Sequence, residues 1–116
     1  MRVLIYGAGS VGSVVGGFMT NGGHDVTLVG RASHMDASAR DGLRISGIWG
    51  EHRVHGLHLA TDLAQVTGPF DLIVVAVKSY DTRAAAEALK RLVSANTLLL
   101  SYQNGLGNAE ILAEVL

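Results

Sequence analysis

Residues 3–12 read Val3-Leu4-Ile5-Tyr6-Gly7-Ala8-Gly9-Ser10-Val11-Gly12. Four consecutive apolar residues stopped by a glycine are the pattern of a short strand buried on both faces of a parallel sheet. Gly7 to Gly12 fit GxGxxG. From Ser10 to about Asn21 small and apolar residues then predominate, up to Asn21-Gly22-Gly23, a sequence suited to ending a helix. Strand, glycine turn and helix in direct succession are the opening of a dinucleotide-binding βαβ unit. Gly7 permits the tight turn, Gly9 lets the backbone approach a pyrophosphate, and Gly12 lets the helix pack closely on the strand. The amides of the turn and of the helix start, from Ala8 through Ser10 and Val11, are expected to bind the anionic phosphates.

Outward from this stretch the same alternation continues. Asp25 to Val29 is expected to form a second buried strand, turned over its carboxyl end by Gly30-Arg31, and Ser33 to about Arg40 a short helix capped by Ser33 and stopped near Gly42. Leu43 to Leu59 alternates loosely around Gly47-Ile48-Trp49-Gly50 and reads as one or two strands about a turn. Asp71 to Val77 is the clearest buried strand, introduced by the turn Gly68-Pro69. Thr82 to Val93 places Ala85, Ala88, Leu89 and Leu92 at helical spacing, with Arg83, Glu87, Lys90 and Arg91 on the opposite side. Thr97 to Leu100 forms a further strand, Gln103-Asn104-Gly105 a turn, and Asn108 to Leu116 the start of a helix. The expected fold class is α/β: a Rossmann-like, doubly wound, mainly parallel sheet with helices on both faces, occupying residues 1–116 as one domain. A helix at the end of this order leads toward another strand, so an apolar edge is expected to be exposed, with self-association as one way to cover it.

Composition narrows the partners. The 116 residues are 48% apolar and 16% charged, which suits a packed domain and excludes a disordered or solvating chain. A formal net charge of −1 gives no electrostatic footprint for nucleic acid or an anionic membrane, so the expected partner is a small molecule. With no cysteine there is neither a disulfide framework nor a thiol nucleophile, in keeping with a reducing cytoplasm. The apolar run from Met1 to Tyr6 is too short for a signal peptide, and no membrane-spanning segment is visible.

Three side chains beyond the glycine turn stand at strand ends. An NAD-binding domain usually carries an acid about 20 residues past the glycines to take the ribose hydroxyls. Here that position reads Val29-Gly30-Arg31. A guanidinium pairs with a 2′-phosphate through two charge-assisted bonds, where a carboxylate would repel it, so NADP is the expected cofactor. Lys78 closes a strand at the edge where open α/β sheets bind ligands, and either attracts a carboxylate or the nicotinamide end of the cofactor or is a solvated loop lysine. Asn104 stands on the same edge, as a hydrogen-bonding amide or simply as half of a favourable Asn-Gly turn. His52, His55 and His58 invite a metal reading, but alternation along a strand turns His55 away from the other two, and a solvated sheet face is expected instead. Trp49 is expected to anchor a hairpin, and Tyr80 and Tyr102 to pack with their hydroxyls at the rim.

Taken together, the turn GAGSVG, Arg31 after the second strand, VAVKSYDT around Lys78 and SYQNGLGN around Asn104 resemble the amino-terminal half of the ketopantoate reductase family. The resemblance implies that Gly7, Ala8, Gly9, Ser10, Val11, Gly12 and Arg31 hold NADPH, that Lys78 lies beside cofactor and substrate, and that Asn104 contacts both. It implies hydride transfer from NADPH to the ketone carbon of 2-dehydropantoate, giving pantoate for pantothenate and coenzyme A synthesis. The family's proton-donor lysine lies in a helical carboxyl-terminal domain, and no position here matches it. The chain is therefore expected to bind cofactor without completing the reduction. Two alternatives remain open: a stand-alone nucleotide-sensing module, which commonly carries an acid where Arg31 stands, and another NADP-dependent 2-oxoacid reductase.

Overall fold

The computed structural model describes residues 1–7, 10–30, 35, 38, 40, 42–45, 52–76 and 82–101. Strand β1 (Arg2–Tyr6) leads through the glycine turn to α1 (Ser10–Asn21), followed by β2 (Asp25–Val29). A hairpin of β3 (Leu43–Ile45) and β4 (His52–Val54) precedes β5 (His58–Ala60), β6 (Leu72–Val75), α2 (Thr82–Leu89) and β7 (Leu98–Ser101). Five of the strands form one parallel sheet in the order β5-β2-β1-β6-β7. The chain winds outward from β1 through β2 to β5, then returns to the other side of β1 at β6. The doubly wound α/β fold expected from the sequence is thus present.

β1 sits at the centre, and its alternation splits the core into two layers. Val3 and Ile5 join Val26, Leu28 and Val74 on one face, where Val14, Val15, Phe18 and Met19 of α1 cover them. Leu4 joins Val29, Ile73 and Val75 on the other face, beneath Ala86, Leu89 and Leu92. Burial on both faces is why these strands read as unbroken apolar runs. The hairpin packs against α1, with Leu43 and Val54 paired across it and both buried in the α1 layer.

Helix α1 ends where the sequence indicates. Gly23, at φ +92°, donates its amide to the Thr20 carbonyl at 3.0 Å, and His24 donates to Met19 at 3.1 Å. These two bonds form a Schellman motif, which satisfies carbonyls the helix leaves open and needs glycine's positive φ.

Several expectations need correction. Leu43 to Leu59 contains three strands and not one or two, because the last, β5, leaves the hairpin and pairs parallel with β2 through Thr27–His58, Leu28–Leu59 and Val29–Ala60. In the helix after β6, Ala88 is exposed and Ala86 is buried. α2 gives way at Lys90 to a 3-10 turn through Leu92, and Leu92 is buried in the core as its helical spacing indicates. β6 runs only from Leu72 to Val75, shorter at both ends than the expected Asp71 to Val77, with Val77 outside the described residues, and the Asp71 carboxylate accepts from the Arg2 amide at 2.8 Å. Met35, Ser38 and Arg40 are helical, as expected of residues 33–40, whose other members lie outside the described residues. So do Trp49 and the helix expected from Asn108. On edge strand β7, Leu98 is 70% and Leu100 42% exposed.

Candidate functional site

The carboxyl ends of β1 and β6 meet where the sheet's winding reverses, the place at which open α/β sheets bind ligands. Backbone bonds close the strand ends there. Gly7 donates to the Val29 carbonyl at 3.0 Å, Ala76 to Tyr6 at 2.8 Å, and Gly30 to Ala60 at 3.1 Å. Gly7 adopts φ +115°, a conformation that glycine reaches without strain and other residues rarely adopt. At Gly12 the requirement is space. A Cβ on Gly12 would lie 1.9 Å from the Gly7 carbonyl oxygen and 3.2 Å from Cγ2 of Ile5, so the first turn of α1 rests directly on the backbone leaving β1. Gly16, one turn later, faces Ile5 and Leu57 with room for ordinary contact only.

Of the residues predicted to hold a cofactor, Gly7 closes the end of β1, and Ser10, Val11 and Gly12 form the first turn of α1. Ala8, Gly9, Arg31, Lys78 and Asn104 lie outside the described residues, as do Ser33, His34, Tyr80 and Tyr102. Gly30, before Arg31, follows the last residue of β2, Val29, and Ala76 follows β6, two residues before Lys78.

The three histidines do not share a strand. His52 begins β4, His55 falls between β4 and β5, and His58 begins β5 in the main sheet. The His55 ring lies on Gly42, whose Cβ would stand 2.6 Å from Cε1, while His58 Nε2 is 2.9 Å from Asp25 Oδ1. The break between β4 and β5, at Gly56 with φ +94°, separates these two rings, and simple strand alternation does not.

Sequence reasoning missed the segment after β5. The Asp62 side chain caps a 3-10 turn (Leu63–Gln65) by accepting from the Ala64 amide at 3.0 Å. Gln65 folds back so that Oε1 accepts from the Thr61 amide at 2.9 Å, and Arg91 reaches from the 3-10 turn after α2 to the carbonyls of Leu63 and Val66. The signal available was Asp62 directly before an apolar residue, a helix-start pattern.

The described ionic contacts of the sheet gather at its opposite, amino end. Arg2 pairs with Asp25 at 3.4 Å, donates to the Pro69 and Thr67 carbonyls, and lies 4.8 Å from the centre of the Phe70 ring. Asp25 also pairs with His58, so the side chains at the first residues of β1, β2 and β5 are committed to one another.

Strand order, the central β1 and the glycine turn into α1 define a Rossmann-like α/β domain. The chain belongs to the ketopantoate reductase PanE/ApbA family, whose model matches residues 3–116. It is 48% identical over 115 residues to the 2-dehydropantoate 2-reductase of Halobacterium salinarum, covering 98% of this chain and 37% of that one. The enzyme of the same name from Pyrococcus horikoshii is 41% identical over 115 residues, covering 99% and 36%. A PanE/ApbA family ketopantoate reductase from Ralstonia eutropha superposes with a TM-score of 0.91 at 39% identity, covering 100% of this chain and 38% of that structure. The chain therefore spans a little over a third of the length of these relatives. Among the described residues no helix is long and apolar enough to cross a membrane.

Proposed function

We propose that this chain is the NADP(H)-binding part of a cytoplasmic oxidoreductase that reduces 2-dehydropantoate to pantoate, a step of pantothenate and coenzyme A synthesis. The observation that carries the cofactor reading is the cradle at Gly7 and Gly12. A helix start lies against the strand end so closely that a single Cβ would fill the gap, at the carboxyl edge and beside the reversal of strand winding. A pyrophosphate fits such a turn because glycine lets the backbone approach it and the start of α1 carries partial positive charge.

Gly7, Ala8, Gly9, Ser10, Val11 and Gly12 would hold the pyrophosphate, and Arg31 the 2′-phosphate. Lys78 and Asn104 would meet the nicotinamide end and a 2-oxoacid substrate. The bound cofactor supplies the hydride. The protein's part is to orient both molecules, and in this reading the acid that protonates the forming alkoxide comes from outside the residues of this chain. Names borne by the relatives support the reaction, and the absence of an acid at Arg31 supports NADP over NAD.

Calorimetric titration of the chain with NADPH and NADH, repeated on Arg31→Ala, tests the reading. NADPH is expected to bind more tightly, and the variant to lose roughly 10- to 100-fold in NADPH affinity while NADH affinity holds, the worth of a charge-assisted pair. Equal binding of the two cofactors by the wild type, or a preference for NADH, would contradict it and favour a nucleotide-sensing module.

A further inference from the structure

We infer that Gln65 and Arg91 are positioning residues for the 2′-phosphate end of the cofactor, acting through the segment that follows β5. The inference rests on the NADP(H) reading above.

β5 is a three-residue edge strand, and its last carbonyl, on Ala60, accepts the Gly30 amide at 3.1 Å. Gly30 immediately precedes Arg31. The ladder between β2 and β5 thus ends at the backbone unit from which Arg31 extends, and a short edge strand frays unless its exit is held.

The exit is held by two side chains. Gln65 Oε1 accepts from the Thr61 amide at 2.9 Å and lies 3.4 Å from the Thr61 hydroxyl, so the first residue beyond Ala60 is tied down at once. Arg91 then pins both ends of the 3-10 turn, with Nη1 3.0 Å from the Val66 carbonyl and Nη2 on the Leu63 carbonyl. One guanidinium fork spans the turn, a geometry that a lysine's single ammonium reproduces poorly. Leu63 and Val66 are buried in the α2 layer, so apolar packing secures the turn's sides while Gln65 and Arg91 secure its backbone. Arg91 belongs to the 3-10 turn that follows α2. The fork therefore ties the turn that follows β5 to the 3-10 turn that follows α2.

The test measures the ratio of NADPH to NADH affinity in the wild type, Gln65→Met and Arg91→Met, with amide hydrogen exchange at Gly30 and Gly7. Gln65 is exposed, so its replacement leaves the core intact. Both variants are expected to lower the ratio about three- to tenfold, the worth of one or two hydrogen bonds, with NADH affinity little changed and Gly30 exchanging faster than Gly7. A purely structural role would weaken both cofactors alike and leave the ratio fixed. A lowered ratio in Arg91→Met alone would indicate lost positive charge and overturn the positioning role, because Gln65→Met alters no charge. An unchanged ratio in both, in a wild type that prefers NADPH, would also overturn it. A wild type without that preference would remove the cofactor reading itself, and this inference with it.

Discussion

The two ends of the parallel sheet are built differently. At the amino end, the side chains of Arg2, Asp25, His58 and Asp71 join strand starts, with Arg2 alone reaching a carboxylate, two carbonyls and an aromatic ring. At the carboxyl end, backbone bonds through Gly7, Gly30 and Ala76 join the strand ends, Gln65 holds the amide that follows β5, and the tightest approach is that of Gly12 to Gly7. One end spends its charges on stability. The other has its geometry fixed by the main chain, and the cations expected to meet a ligand, Arg31 and Lys78, follow the strand ends. Charges engaged with one another in the free protein are poor ligand partners, since each new contact must first break an old one.

The sharpest way to break this division is at Gly12. Gly12→Ala puts a methyl against the Gly7 carbonyl, which is backbone and cannot rotate away. A loss of about 3 kcal/mol is expected in urea unfolding, together with loss of measurable cofactor binding. Unchanged stability would mean that the helix start is not seated as described.

At the other end, Arg2→Met removes the guanidinium from Asp25, Pro69, Thr67 and Phe70. It is expected to cost about 1–2 kcal/mol and to leave NADPH affinity unaltered. A fall in affinity equal to that in stability would show that the two ends are not independent. The smallest effect belongs to His58→Gln. Both members of its pair with Asp25 are well exposed, at 69% and 48% of their side chains, so under about 0.5 kcal/mol is expected in the same assay.

How much of this was legible in the sequence differs along the chain. β1, α1, β2 and β6 could be read because central strands buried on both faces leave unbroken apolar runs, and glycines mark the turns between them. β5 could not be separated from the hairpin. His58-Leu59-Ala60 lies at a sheet edge with only Ala60 fully buried, so its pairing is fixed by the backbone ladder and leaves little apolar signature. The exchange of Ala88 for Ala86 has a similar origin: among alanines, helical phase carries too little hydrophobic contrast to show which of two positions faces inward. In the candidate site, the glycine turn was legible because its residue types answer to geometric needs. The contributions of Gln65 and Arg91 were not, because both side chains bond to main-chain atoms that any residue would supply.

The division between the two ends is tested most directly by titrating NADPH into the ¹⁵N-labelled chain and following backbone amide shifts. The account predicts saturable shifts at Gly7, Gly12, Gly30 and Ala76, with Arg2, Asp25, His58 and Asp71 unmoved. Shifts confined to the amino end, or none at saturating NADPH, would contradict it.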